Sequence, residues 1–314
     1  VTARYVVTGG AGFIGSHLAQ SLLQRGASVR IFDNLSSGRE SNLAVLEGHA
    51  EIVRGDVRDL AAVRAALAGA EVVFHEAAVA SVPQSIADPL GSLETNITGT
   101  QHILLAARDA GVRRVVYASS SAIYGDAPVL PKEEHMAPSP MSPYALHKLT
   151  GEYLCSLFTE LYGLETVALR YFNVFGPRQD PASEYAGVIP RFLCALRDGQ
   201  QPVVFGDGEQ TRDFVYIGNV VQANLLAAEA PEAVGQAINV GCGERISLNA
   251  LLSVAGDLLG VAAHAEYRPP RAGDVRDSLA DIQLARRLIG YTPTVSFQEG
   301  LARTLEALRQ EKES

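Results

Sequence analysis

Tyr5-Val6-Val7-Thr8-Gly9-Gly10-Ala11-Gly12-Phe13-Ile14-Gly15 runs a short apolar strand into a glycine turn and on into an amphipathic stretch over 14–25. Glycine is needed where a chain turns sharply or where its backbone must approach another group closely. The helix that follows offers free N–H groups and the positive end of its dipole. Gly9, Gly12 and Gly15 therefore suit the pyrophosphate of a dinucleotide, although glycines alone also suit a purely structural turn. The strand–turn–helix context favours the dinucleotide, as does Asp33, an acidic residue about 20 positions on at the end of the next strand. An aspartate there binds both ribose hydroxyls and repels a 2′-phosphate, and no arginine directly follows it. The expected cofactor is NAD rather than NADP. Asp56, in Gly55-Asp56-Val57, is placed for the adenine amino group, or else caps the helix before Leu60.

Outward from this turn, strand candidates at Tyr5–Thr8, Ser28–Phe32, Glu51–Arg54, Val72–His75, Arg114–Ala118 and Thr166–Arg170 alternate with helical patterns near 14–25, 59–68, 92–110 and 143–162. That rhythm predicts an α/β fold, a doubly wound parallel (Rossmann) sheet. After about residue 171 the rhythm loosens into Gly/Pro-rich loops at 176–187, 199–211 and 268–274, with helices near 188–198, 247–259 and 298–310. We expect residues 1–170 to form the dinucleotide-binding domain and 171–314 a smaller C-terminal α/β substrate-binding region. The helix near 218–229 and the strand near 236–240 should return to the first domain (213–241).

At 314 residues and 47% hydrophobic, the chain can bury a large core. Net charge −9 argues against nucleic acid or an anionic membrane as partner, and means that a phosphate-bearing substrate must meet a local arginine cluster. Cys155, Cys194 and Cys242 form no Cys-x-x-Cys pair, so neither a disulfide framework nor a zinc site is expected, and a cytoplasmic location fits. No signal-peptide pattern precedes the first strand and no apolar run approaches about 20 residues, so no membrane span is expected. His17, His75, His102 and His147 lack metal-ligand spacing, and no metal is expected.

Tyr144 and Lys148, in Ser142-Pro143-Tyr144-Ala145-Leu146-His147-Lys148, are four apart on a predicted helix and share one face. They follow Ser119-Ser120-Ser121. A phenol with a pKa of about 10 is a poor base at neutral pH, and a neighbouring ammonium favours the phenolate. Tyrosine takes a proton, lysine holds its pKa down and a serine hydroxyl bridges to the substrate. Together with a nucleotide turn, this is equipment for moving a hydride and a proton on and off a secondary alcohol.

With these motifs the chain resembles the extended short-chain dehydrogenase/reductase family and, within it, the UDP-hexose 4-epimerases. The likeness runs from Tyr5 to about residue 300. It also takes in Asp33-Asn34, Asn96 of Asn96-Ile97-Thr98-Gly99-Thr100, Ser119 through Gly125, Arg170-Tyr171-Phe172-Asn173, Thr211-Arg212-Asp213-Phe214 and Arg271-Ala272-Gly273-Asp274. Related 4,6-dehydratases carry Thr-Asp-Glu where this chain has Ser120-Ser121-Ala122, and the decarboxylases keep the glutamate. Expelling water needs that acid–base pair, whereas alcohol–ketone interconversion does not. The departures favour reversible C4 epimerisation through a transient 4-keto sugar, with bound NAD regenerated each cycle.

The resemblance implies site residues position by position. Ser120, Tyr144 and Lys148 correspond to the catalytic group. Gly9, Gly12, Phe13, Ile14, Gly15, Asp33, Asn34, Ser37 and Gly38 correspond to the nucleotide contacts. Asp56, Val57, Ala77, Ala78, Asn96 and Phe172 complete the cofactor site with Tyr144 and Lys148. On the substrate side stand Ala80, Ser81, Asn173, Gln179, Gly187, Val188, Val203 and Phe205. Arg212 and Arg271 match diphosphate ligands, or else form surface ion pairs, and Asp274 resembles a ribose ligand. Ser278 stands where many glucose-only epimerases have a bulky tyrosine; it either opens room for an N-acetyl group at C2, as in UDP-N-acetylglucosamine 4-epimerases, or is a neutral loop residue. A homodimer through helices near 92–110 and 143–162 is also implied, with Leu104, Leu105, Leu154 and Leu157 serving that face or the sheet. Two competing readings are a UDP-glucuronate 4-epimerase and, from another class, an NAD-binding regulatory module on the same fold. Tyr124 and Tyr171 are expected to pack around the nicotinamide.

Overall fold

The computed structural model describes residues 5–180, 187–270 and 275–313. Its centre is a seven-stranded parallel sheet. Six strands, β1 (Tyr5–Thr8), β2 (Val29–Asp33), β3 (Glu51–Arg54), β4 (Val72–His75), β5 (Arg114–Ser120) and β6 (Glu165–Tyr171), are joined by the returning strand Ala237–Val240. The order is Ala237–Val240, β6, β5, β4, β1, β2, β3. Branched and aromatic residues fill both faces, as a parallel sheet covered by helices on both sides requires. Successive residues point opposite ways. Val7, Ile31, Phe74, Val116 and Leu169 meet α1 (Phe13–Gln24) and the Ile217–Glu229 helix. Val6, Phe32, Val73 and Val115 meet the Leu60–Leu67, Gly99–Asp109 and Pro143–Tyr162 helices.

Strand order reverses between β1 and β4, which opens a crevice at their carboxyl ends. The glycine turn, Glu76, Ser120 and Tyr171 all fall at those ends.

Two local readings change. The stretch near 92–110 is broken: helix Pro89–Leu93 passes through one π-turn, Glu94–Thr98, before continuing as Gly99–Asp109. The wide turn carries Asn96, whose amide grips both backbone groups of Val79. The expected loop over 199–211 contains the strand Val203–Phe205, paired in parallel with Glu266–Arg268. Three residues between Gly/Pro-rich flanks give too short a pattern for the alternation to be read.

The segment after residue 275 is stitched to both parts of the chain. Ser278 N–H donates to Thr211 O at 3.1 Å, Lys132 N–H to Leu279 O at 2.7 Å and Asp281 N–H to Lys132 O at 2.9 Å. Asp213, fully buried, accepts the N–H groups of Cys242, Gly243 and Ala280 at 2.7, 2.9 and 3.1 Å.

Candidate active site at the carboxyl ends of the strands

The glycine turn is too tight for side chains. Gly9 has φ of 69°, and a Cβ on Gly15 would lie 2.2 Å from the Gly9 carbonyl oxygen. The first helical residues Phe13, Ile14 and Gly15 have no side-chain cap before them, because Gly12 occupies that position. Asp33 frames the other side. Its carboxylate accepts Ala11 N–H at 2.9 Å and Leu35 N–H at 2.7 Å, which fixes its rotamer beside Gly38. A bare backbone cradle next to an oriented aspartate fits the diphosphate and ribose of a dinucleotide. Asn34 donates to Asp56 Oδ2 at 2.8 Å, and Arg58 holds the Asp56 carboxyl well below the usual carboxylate range. The capping alternative for Asp56 falls away, since Asp59 accepts Ala61 N–H and Ala62 N–H at the start of the Leu60–Leu67 helix. Val57 and Phe172 are buried, and Ala77 N–H donates to the Thr8 hydroxyl at 3.2 Å. Asn96 serves the backbone of Val79, in the segment that also carries Ala77, Ala78 and Ala80.

Ser120, Tyr144 and Lys148 come together at the end of β5. Ser142 caps the Tyr144 helix by accepting Ala145 N–H at 3.2 Å, and Pro143 occupies its first turn. Tyr144 N–H donates to Ser85 Oγ at 3.1 Å. Lys148 is buried; its ammonium donates to the Ala118 carbonyl at 2.7 Å and lies 6.0 Å from the Tyr144 ring centroid.

The expectation that Lys148 holds the tyrosine pKa down needs correcting for this state. Burial pushes the Tyr144 phenol up, the Ser120 hydroxyl pulls it down and the charge of Glu76 pushes it up again. Burial also lowers Lys148, to about 8. Desolvation disfavours both charged forms, and it is the largest influence on each.

Glu76 was missed at the sequence level, where a polar residue after an apolar strand reads as the strand's end. Its carboxylate accepts the Tyr171 phenol at 2.8 Å, and burial pushes its pKa up to about 7. Tyr124 is likewise more than packing: its phenol donates to Asn239 and accepts from Arg170, which forms a buried bidentate pair with Glu152. The histidines have local partners: His17 with Pro177 O, His75 with Thr8 and Thr100, His102 with Val57 O and His147 with Ser92.

On the substrate side, Phe205, Gln210, Arg212, Arg268, Val275 and Arg276 line an open cavity of about 490 Å³. Arg212 is oriented by donating to the carbonyls of Thr211 and Arg276 at 2.8 and 2.9 Å. Gly187 begins the Val188–Arg197 helix, and a Cβ on it would lie 3.2 Å from Gln179 Nε2. Ser81 caps the Val82–Ala87 helix. Asn173 is exposed and pairs in register with Phe214, next to Asp213. Val203 starts the short strand that ends at Phe205. Arg271 and Asp274 lie outside the described residues.

Residues 5–241 match the sequence profile of the NAD dependent epimerase/dehydratase family. The UDP-glucose 4-epimerase of Mycolicibacterium smegmatis is 41% identical over 315 residues, covering 99% of this chain and 100% of that one. The structure of UDP-N-acetylglucosamine 4-epimerase from Methanobrevibacter ruminantium, in complex with UDP-N-acetylmuramic acid, is 41% identical with a TM-score of 0.94, covering 98% and 99% of the two chains. The Thermus thermophilus UDP-glucose 4-epimerase in complex with NAD is 38% identical with a TM-score of 0.89, again covering 98% and 99%. Matched over its sheet, its glycine turn and its Tyr144–Lys148 helix, the chain belongs to the NAD dependent epimerase/dehydratase family.

Proposed function

We propose that this chain catalyses NAD-dependent, reversible C4 epimerisation of UDP-hexoses, UDP-galactose/UDP-glucose and also the N-acetylated pair. The observation that carries the reading is the convergence of Ser120, Tyr144 and Lys148 beside the glycine turn, with Ala122 where elimination chemistry would need a carboxylate. When bound, NAD supplies a hydride acceptor that becomes the donor in the return step. Tyr144 takes the proton of the sugar 4-hydroxyl and later restores it, with Ser120 bridging the two oxygens. Lys148 lends positive charge to a phenol that burial alone would keep protonated. Arg212, with Arg271, clamps the diphosphate bidentately while the 4-keto sugar turns over about that linkage. Residues 171–314, apart from the return over 213–241, supply the substrate side.

The test is incubation with UDP-galactose, UDP-N-acetylgalactosamine, their gluco-epimers and UDP-glucuronate, followed by separation of the epimers. Interconversion within the first two pairs is expected. Conversion of UDP-glucuronate alone replaces this reading with the glucuronate one, and inactivity on all five favours the regulatory module.

Since no net redox change occurs, NAD need not leave between turnovers. Protein purified without added nucleotide should release close to one NAD per chain on denaturation. Stoichiometric NADP in the supernatant would refute the role given to Asp33.

A homodimer is also part of the proposal. Leu104 is fully buried and Leu105 and Leu154 pack on the core, so these three serve the sheet side. Leu146, Tyr153, Leu157 and Leu161 make one outward stripe along the Pro143–Tyr162 helix, each about half exposed or more, with Leu90 and Leu93 exposed on the preceding segment. A contiguous apolar surface of this kind suits burial against a second copy. Light scattering at micromolar concentration should give twice the chain mass; a monomer mass refutes the dimer. Cytoplasmic residence suits Cys155, Cys194 and Cys242, which form no Cys-x-x-Cys pair.

A further inference from the structure

The first turn of the Pro143–Tyr162 helix is completed from outside the helix. The opening N–H groups of a helix have no partner within it. Pro143 has none to satisfy, Ser142 Oγ accepts that of Ala145 at 3.2 Å, and Leu146 N–H reaches Ser142 O at 3.0 Å. Tyr144 N–H remains, and it donates to Ser85 Oγ at 3.1 Å, across 59 residues of chain.

Ser85 is held for that contact. It is fully buried, and its single hydroxyl proton goes to Val82 O at 2.7 Å, on its own short helix. The oxygen is thereby left as an acceptor for the Tyr144 N–H. The stretch over 79–85 that carries it is fixed along its length. Asn96 grips Val79 at 2.8 and 3.0 Å, and Ser81 Oγ accepts Gln84 N–H at 3.0 Å. Ala80 and Ser81, expected to face the sugar, lie between these anchors. A second pin joins the neighbouring Pro89–Leu93 helix to the Tyr144 helix: Ser92 Oγ and His147 Nδ1, both buried, are 3.1 Å apart. That pin ends on a side chain, which can turn without moving the helix backbone. The Ser85 pin ends on the main chain of Tyr144 itself.

We propose that Ser85 is a positioning residue for the proton transfer: by tying the Tyr144 main chain to the 79–85 stretch, it sets the distance between the phenol and the sugar 4-hydroxyl. The inference rests on the epimerase reading for its kinetic consequence, and on geometry alone for the pin. Proton transfer needs its two heavy atoms within about 2.6–3.2 Å, so a helix end released by even part of an ångström loses rate while the sugar still binds.

Ser85→Ala removes the acceptor and touches none of Ser120, Tyr144 and Lys148. With 11 tyrosines in the chain, 15N labelling of tyrosine gives a sparse amide spectrum, in which Tyr144 and Tyr153 are assigned by their loss in Tyr144→Phe and Tyr153→Phe. In the sugar-free protein as purified, hydrogen exchange at the Tyr144 amide should quicken at least about fivefold in Ser85→Ala. The rise should exceed that at Tyr153, which lies inside the same helix. With saturating UDP-galactose, kcat should fall at least about tenfold, while KM and the NAD released per chain change less than about twofold. Ser92→Ala, which breaks the side-chain pin alone, should leave kcat unchanged. Unchanged exchange at Tyr144, an equal quickening at Tyr144 and Tyr153, an unchanged kcat, or a kcat loss shared equally by Ser92→Ala overturns the proposal and leaves the epimerase reading standing. Local quickening at Tyr144 in a protein that epimerises nothing upholds the pin and defeats that reading instead. If Ser85→Ala does not fold, Ser85→Cys keeps the side chain's shape and trades its oxygen for a weaker acceptor, and the same comparisons decide.

Discussion

Tyr144→Phe should lower kcat by about 10²–10⁴-fold, the scale expected when a general acid–base group is lost. The hydroxyl is the sole group removed, while the ring, the Ser142 cap, the Ser85 contact to the Tyr144 N–H and the Lys148–Ala118 hydrogen bond are all independent of it. The variant should therefore fold and retain NAD. Its loss should appear in kcat, because the missing group acts on the bound sugar, with KM changing far less. Burial raises the phenol in the ligand-free state, so positive charge supplied on binding, together with Lys148, must bring it into working range. Wild-type activity should accordingly fall as pH drops through the value at which the phenol takes up its proton. If Tyr144→Phe turns over at near wild-type kcat with NAD bound, the base is another group.

Ser278→Tyr should separate the two substrate pairs. In the wild type both plain and N-acetylated UDP-hexoses are expected to react, because a serine at this position and a glycine at 187 are proposed to leave room at C2. A phenol ring overlapping an acetamido group cannot be relieved without moving the sugar away from nicotinamide, and a displacement of about 1 Å can cost about 10²-fold. The gap between the pairs should far exceed the 10–200-fold, roughly, that a single methylene gives in a pocket. Measuring kcat/KM for all four sugars in both proteins decides it. Wild-type inactivity on the acetylated pair, or an equal loss on all four sugars in the variant, would falsify the gatekeeper role without touching the epimerase reading.

What the sequence made legible follows from how locally each feature is encoded. The glycine turn and its strand are contiguous, and the backbone cradle they build is set by steric limits that few other residues satisfy. Tyr144 and Lys148 share a helix, so their common face follows from spacing alone. Asp33 was placed by a fixed distance from the turn. The features that stayed hidden depend on neighbours far along the chain. Glu76 is held by the phenol of Tyr171, 95 residues away, and nothing in His75-Glu76-Ala77 announces that partner. The rise of the Tyr144 phenol in the ligand-free state stayed hidden for a related reason: charge pairing can be read from spacing, whereas the loss of water around the pair comes from packing. Asp56 was read as a possible cap for the helix before Leu60, and the backbone path gives that cap to Asp59. Leu104 and Leu157 were indistinguishable as letters; their helices turn one into the sheet and the other outward.

The strip from Ser278 to Asp281 is tied down by main-chain groups, to Thr211, Lys132 and the Asp213 carboxylate. Its course is thus independent of what side chain stands at 278. If Ser278 sets the room at C2 as proposed, a lineage can exchange that residue by changing one codon, trying wider or narrower sugars in turn, while the path of the loop and the sheet behind it are inherited intact. Diversification of such enzymes would then proceed through a position whose failures cost only a substrate and seldom the protein itself.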